Sequence, residues 1–375
     1  MSSLHRARSQ PLIEDHPHSI PAVPPIVREP LRLGQVAIPS RFFLAPLAGY
    51  TSLAFRLAVR ECGGLGLATT DLVNARSLIE GRRRAFELSE TCEQDRPLSI
   101  QIYGTVINEM EQAARVVVEQ GATAVDINMG CPVRKVVKNG GGSALMCQAD
   151  RASDLVAAVV NAVRVPVTVK MRLGWDDESL TAPELARAFE QAGVAAVIVH
   201  GRTRQQGFTG KVNRAGIRAV VEAVERMPIV ANGDVRTIAD AARTFEETGC
   251  AAVSIGRGAL ANPFILRQLE CWARTGDPGP VPTFEERLEL MRRHFHGLVA
   301  RRGEHYGCLQ FRKILKWYYH FTRMSKSFYL RMINLSSPDV FDEVIAEVER
   351  AGPESLLPGH HEFYVPVPSG AIDKW

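Results

Sequence analysis

Ala195-Ala196-Val197-Ile198-Val199-His200 is an unbroken apolar run that ends on a histidine, and Gly201-Arg202-Thr203 follows at once. A strand that is apolar on successive residues is covered on both faces, as in a parallel sheet flanked by helices. Comparable runs occupy Phe42 to Leu47, Gly66 to Leu72, Leu98 to Tyr103, Ala124 to Met129, Val167 to Arg172, Ile229 to Asn232 and Ala251 to Ile255. Each gives way to a Gly, Pro or Asn break and then to an amphipathic stretch. Eight such units predict an α/β fold, a closed (β/α)8 TIM barrel over residues 31–280. An open doubly wound sheet is the rival. It would want a G-x-G-x-x-G turn after the first strand, and none is there.

The polar residues fall where strands end and loops begin: Gln101, Asn128, Cys131, Lys170, Arg172, His200, Arg202, Asn232, Asp234 and Arg257. In a barrel those ends share one rim, so residues scattered along the chain would line one cavity. Strand ends are often polar simply because they approach solvent, but that explains poorly a Lys, a His and a Cys beside apolar strands. Asn232-Gly233-Asp234 and Gly256-Arg257-Gly258 follow the last two strands, the usual barrel position for gripping a phosphate, although such glycines can merely turn the chain. Lys170 lies on a strand, where an ammonium is costly unless it meets an anion or an electron-rich ring, or snorkels to solvent. Near the N1/O2 edge of a flavin it would stabilise the anionic reduced ring. Cys131, between Gly130 and Pro132, is either a packing thiol or a general acid whose ionisation Arg134, Lys135 and Lys138 would influence.

With 375 residues, 46% hydrophobic and 23% charged, the chain can bury a large core, which excludes a disordered or fibrous class. No apolar run is long enough to span a membrane and no signal peptide is evident, so a soluble cytoplasmic protein is expected, with no membrane partner. Seven cysteines with no C-x-x-C pair argue against a disulfide framework and a zinc site; no metal and a monomeric state are expected. Six prolines in residues 1–30 predict a disordered leader, and residues 353–375 a flexible tail.

The net charge of +4 is unevenly spread. Residues 291–331 hold ten Lys/Arg against one acid, Glu304, a local +9 that leaves −5 for the rest. Nine aromatics are interleaved with these cations. Helical periodicity after Pro282, with Thr283 as N-cap, predicts a small all-helical domain over 281–352 with an aromatic core and a cationic outer face. Such a face suits nucleic acid, Arg312, Lys313 and Lys316 being natural phosphate contacts, or is a solvated surface.

Taken together, Ala45-Pro46-Leu47-Ala48-Gly49-Tyr50-Thr51 with Phe55-Arg56, Gln101-Ile102-Tyr103-Gly104, Asn128-Met129-Gly130-Cys131-Pro132, Gly142-Ser143-Ala144-Leu145-Met146, Lys170-Met171-Arg172, His200-Gly201-Arg202-Thr203, Asn232-Gly233-Asp234 and Gly256-Arg257 resemble the tRNA-dihydrouridine synthases, in particular the bacterial DusB-like branch. The resemblance runs in order from about residue 41 to 270 and continues at Phe311-Arg312-Lys313 and Trp317-Tyr318. Leu47 stands where Met is usual, Tyr50 and Ser52 where Val and Asp are frequent, and Asp71 where Glu is common. The resemblance implies an FMN enzyme, reduced by NADPH, that converts uridines of tRNA to 5,6-dihydrouridine. It implies that Pro46, Leu47, Ala48 and Gln101 contact the flavin ring, with Lys170 at N1/O2 and His200 nearby. Asn232, Gly233, Asp234, Gly256 and Arg257 would hold its phosphate end; Asn128, Arg172 and Arg202 would bind substrate. Hydride would pass from flavin N5 to uracil C6, and Cys131 would protonate C5. A flavin barrel acting on free pyrimidines is the nearest alternative, and a non-catalytic RNA-binding scaffold a more distant one.

Overall fold

The computed structural model describes residues 20–355; the expectations for most of the leader and tail therefore lie outside the described residues. The strands are β1 Leu31–Leu33, β2 Val36–Ile38, β3 Phe42–Leu44, β4 Leu67–Thr69, β5 Val73–Asn74, β6 Leu98–Tyr103, β7 Ala124–Met129, β8 Val167–Arg172, β9 Ala196–His200, β10 Ile229–Asn232 and β11 Ala252–Ile255. From β3 onward every pairing is parallel, and the β4–β6 and β11–β3 pairs close the sheet into an eight-stranded barrel. Helices fill the crossovers, so the TIM barrel expected from the apolar runs is the fold.

Successive side chains alternate between the two faces of each strand. Val125, Ile127 and Met129 of β7 and Val167, Val169 and Met171 of β8 point outward into the main core, beneath the helices. Their neighbours Asp126, Asn128, Thr168 and Lys170 therefore point into the barrel. From β3, β4, β9, β10 and β11, Phe43, Leu67, Ala196, Ile198, Val230 and Ala252 form a separate apolar cluster inside the ring. The antiparallel β1–β2 hairpin packs Leu31, Leu33 and Ile38 onto this cluster and seals the N-terminal end. Its turn uses Gly34 at φ 54°, a conformation glycine adopts without steric cost. The alternation Leu31-Arg32-Leu33-Gly34-Gln35-Val36-Ala37-Ile38 carries this hairpin signal, which the search for long apolar runs passes over.

The stretch Gly66 to Leu72, expected as one strand, is split. Asp71 interrupts it by accepting backbone N–H groups from Leu72 at 2.8 Å and from Gly49 at 2.7 Å, and β5 resumes the pairing with β6 beyond. Part of the proline-rich leader is packed: Pro25–Arg28 is a 3-10 turn with Val27 buried, and the Pro21 carbonyl accepts Trp272 Nε1–H at 2.8 Å. All seven cysteines are free thiols.

Beyond the barrel, Thr283 and Glu286 form a reciprocal capping box that opens the helix Phe284–Thr322, broken at Gly303 (φ 76°, ψ 163°). Helices Lys326–Met332 and Pro338–Ala351 follow. Their aromatics form the expected core: Phe295 stacks on Phe341 at 4.0 Å between centroids, and Phe311 meets Phe295 at 5.1 Å. Gly297 lets the long helix approach Ala54, where an added Cβ would sit 3.3 Å from the alanine methyl. Among the described residues no helix is long and apolar enough to cross a membrane.

The helix Leu53–Cys62, which carries that contact, is capped by Ser52 and fixed from below by charge. Arg56 and Asp95 are both fully buried, paired at 2.7 Å, and Arg56 also donates to the Thr51 and Glu90 carbonyls. Removing one member of a buried pair leaves the other charge uncompensated. Arg60 also reaches the Asp95 carboxylate at 3.2 Å and would still compensate it without Arg56. Asp95→Ala, which strips buried Arg56 of its counter-charge, is therefore the variant expected to lower stability by about 3–5 kcal/mol, read as a shift of the urea midpoint at constant slope; a loss below about 1 kcal/mol would equate the pair with a surface one.

Candidate active site

A cavity opens at the carboxyl ends of the barrel strands. Pro46, Leu47 and Ala48 line it after β3, Gln101 from β6, and Asn128 and Cys131 from the end of β7. Lys170 and Arg172 contribute from β8, His200 from β9, Asn232, Gly233 and Asp234 after β10, and Gly256 and Arg257 after β11. Arg202 stands apart. Its guanidinium is buried behind the wall, bonded to Asp234 at 2.5 and 3.1 Å and to the Thr209 and Gly210 carbonyls. Its geometry is that of a strut beneath the loop.

Register explains the convergence. Asn128 sits beside Lys170, Arg172 beside His200, and His200 beside Asn232, so inward residues of adjacent strands share layers. Below them lies a polar layer in which Asp126 accepts from Gln101 Nε2 at 2.6 Å and Thr168 Oγ1 at 2.5 Å. Burial lowers the Lys170 ammonium to about 8, with Arg172 pushing the same way and Asp126 opposing. Among the described residues no hydrogen-bond acceptor reaches Lys170, so the ammonium faces the cavity with its bonding capacity unused.

Asp234 holds two arginines rather than an anion: Arg257 Nη2 meets its carboxylate at 3.1 Å, opposite the Arg202 pair. Its backbone, at φ 48°, turns beside Gly233 at φ 129°. A Cβ on Gly233 would lie 2.7 Å from Val212 and 3.1 Å from His200, so only glycine fits. Burial and the cations Arg172, Lys170, Arg202 and Arg257 hold His200 well below its ordinary value, and the ring is neutral. Arg202 Nη1 lies 3.5 Å from His200 Nε2; since arginine only donates, the ring proton belongs on Nδ1.

Arg172 is buried and donates to the Gly130, Thr203 and Gly207 carbonyls through Nε and Nη1, while Nη2 meets no acceptor among the described residues. Burial pushes the Cys131 thiol up, so it stays protonated at neutral pH. The charges that act on it are Arg172, Lys170 and Asp71, not the flanking Arg134, Lys135 and Lys138, which are exposed.

The wall also includes residues that the strand-end reading passed over. Phe208 lines the cavity with its ring centroid 5.0 Å from Arg257 and 5.6 Å from Arg172. It lies in the glycine-flanked loop Gln205-Gln206-Gly207-Phe208-Thr209-Gly210, where a lone large apolar residue has no helix or strand to pack in, which is a usable signal. Trp317 reaches the cavity from the long C-terminal helix and was hidden within the aromatic stripe.

Half of the ten cations of the +9 segment are paired with acids in three dimensions. Arg292 pairs with Glu349, Arg293 with Glu61 and Glu289, Arg301 with Glu90, Arg302 with Glu87, and Arg331 with Glu347 and Glu343. Arg312 donates Nε and Nη2 to the Leu335 carbonyl and closes the turn after the helix Lys326–Met332. Lys313, Lys316 and Lys326 are exposed and meet no acid among the described residues. Lys313 and Lys316 flank Trp317 on the helix, and Arg134, Lys135 and Lys138 adjoin Cys131, so cations stand by two walls of one mouth.

Comparison with known proteins shows the family of the chain. The dihydrouridine synthase (Dus) family model matches residues 43–350, the barrel and nearly all of the described helices after it. A probable tRNA-dihydrouridine synthase of Rickettsia bellii is 36% identical over 289 residues, 77% of this chain and 88% of that protein. A probable tRNA-dihydrouridine synthase 1 of Synechocystis is 39% identical over 295 residues, 79% and 82% of the two chains. The tRNA-dihydrouridine synthase B of Xanthomonas axonopodis pv. citri is 36% identical over 329 residues, 86% of this chain and 98% of its own. With the match spanning both the cavity and the helix that contributes Trp317 to it, the chain belongs to the dihydrouridine synthase family.

Proposed function

We propose that the protein is a flavin-dependent tRNA-dihydrouridine synthase that uses FMN and NADPH and reduces uridine in tRNA to 5,6-dihydrouridine. The observation that carries the reading is that a protonated thiol, Cys131, and a half-buried ammonium with no acceptor among the described residues, Lys170, line one cavity. The residues fit a flavin mononucleotide. Lys170 suits the electron-rich N1/O2 edge, Pro46, Leu47 and Ala48 offer an apolar wall, and Arg257 with the Gly233 and Gly256 turns suits the phosphate. When bound, the flavin supplies the hydride that saturates the uracil 5,6 double bond, and NADPH restores it.

This chain supplies the rest. Cys131 donates the proton to C5, a role for which a thiol held above its ordinary pKa is loaded at neutral pH. Arg172 Nη2 is the donor left for a uracil carbonyl, its other nitrogens fixing the guanidinium on the Gly130, Thr203 and Gly207 carbonyls. A uridine in folded RNA must leave its stack to enter the cavity. Lys313, Lys316 and Lys326 with Arg134, Lys135 and Lys138 hold the phosphates around it. A reductase of free pyrimidines would have no use for these exposed cations. The seven free thiols suit a reducing cytoplasm.

Cys131→Ala is expected to lower dihydrouridine formation at least about 100-fold while flavin content is unchanged; the native rate would remove Cys131 from the acid role. Lys170→Met should yield protein that loses its yellow chromophore during purification, measured as flavin per chain. Replacing Lys313, Lys316 and Lys326 by Ala together should flatten the salt dependence of tRNA binding by about two to three phosphate contacts, whereas Arg292→Ala with Arg293→Ala should leave the slope as it was.

A further inference from the structure

The carboxylate of Asp126 has no part in the chemistry above, yet it heads a chain of side-chain hydrogen bonds inside the barrel. An ionised carboxylate accepts and cannot donate. Asp126 takes the Thr168 hydroxyl and one Gln101 amide hydrogen, so Gln101 must turn Oε1 the other way, where it accepts Asn128 Nδ2–H at 2.8 Å. That commits Asn128 Oδ1 to the far side. There it accepts the backbone N–H of Cys131 at 3.0 Å and of Gly130 at 3.3 Å. Neither carboxamide can reverse without setting donor against donor.

We propose that Asp126 is a positioning residue for Cys131: its charge sets the direction of the Asp126–Gln101–Asn128 chain, whose far end grips the peptides that carry the thiol. The proposal rests on the reading of Cys131 as the proton donor. Asp126 is 1% exposed, and the charged group that faces it is Lys170 from β8; Gln101 from β6 and Thr168 from β8 are its polar contacts. Burial pushes its pKa up to about 6, against the pull of Gln101, Thr168 and Lys170. Protonated Asp126 can donate to Gln101 Oε1. Gln101 then offers its amide hydrogens to Asn128, whose own amide hydrogens turn toward the two backbone N–H donors. The direction of the chain is thus enforced above that pH and only optional below it, so the grip on Gly130 and Cys131 loosens as the pH falls.

The test is hydrogen–deuterium exchange of the peptide covering 128–133, without tRNA or reductant, normalised to the chemical exchange rate and to the β9 peptide 196–200. As the pH falls from about 8 to about 5, exchange of the first peptide should rise about tenfold relative to the second, the loss of about one net hydrogen bond. Asp126→Asn, which cannot titrate and can present either pole, should exchange faster than the wild type at about pH 8 and show no change in relative exchange as the pH falls. Its kcat for dihydrouridine should fall while its tRNA affinity is retained. Flat relative exchange in the wild type across this range overturns the proposal, and that measurement needs no variant to fold. Raised exchange in a variant that keeps native kcat overturns the link to the acid. A wild-type protein that makes no dihydrouridine refutes the function, whereas the exchange series still decides whether Asp126 holds the loop.

Discussion

Side chains on a strand alternate with a period of two, and eight parallel strands closed into a ring allow that alternation one phase. Here the phase sends Ile127, Met129, Val169 and Met171 out to the helices and turns Asp126, Asn128, Thr168 and Lys170 inward. A slip of one residue in β7 or β8 would bury carboxylate and ammonium beneath helices and point methionine at the cavity. The active site is therefore a by-product of the register that builds the core. The same pairing that closes the barrel brings Cys131, Lys170 and Arg257, far apart in sequence, to one rim.

The site is built short of negative charge. Lys170, Arg172 and Arg257 line it, with Arg202 behind, against Asp71, Asp126 and Asp234. Burial weakens the charged form of these three lining cations, to about 8 for Lys170 and about 10 for Arg172 and Arg257. Such groups are costly to hold in an empty protein and gain most when an anionic ligand arrives. Asp234 tempers the cost, since by taking both Arg202 and Arg257 it points the second toward the cavity. What the protein spends in stability here it recovers as preorganised binding.

The barrel was legible in the sequence because its strands are continuous apolar runs, and β6, β7, β8 and β10 match their expected bounds. Gly66 to Leu72 could not be divided by hydrophobicity, because Asp71 breaks the strand through bonds to Gly49, far away in sequence. Charge counting failed for a related reason. The ten cations of residues 291–331 lie close in sequence, but the acids that pair with half of them, such as Glu61, Glu87, Glu90 and Glu349, are brought from elsewhere by folding. Arg202 looked like a site residue because it ends a strand, yet Asp234, Thr209 and Gly210 absorb it. Cys131, Lys170 and the glycine turns were readable because their chemistry is out of place in an apolar strand or at its tip.

The hairpin of β1 and β2 closes the floor of the barrel with Leu31, Leu33 and Ile38. Among the described residues, the cavity is lined from the carboxyl ends of the strands, away from that floor. Under the proposed function, reductant and RNA would both come to that one end of the barrel.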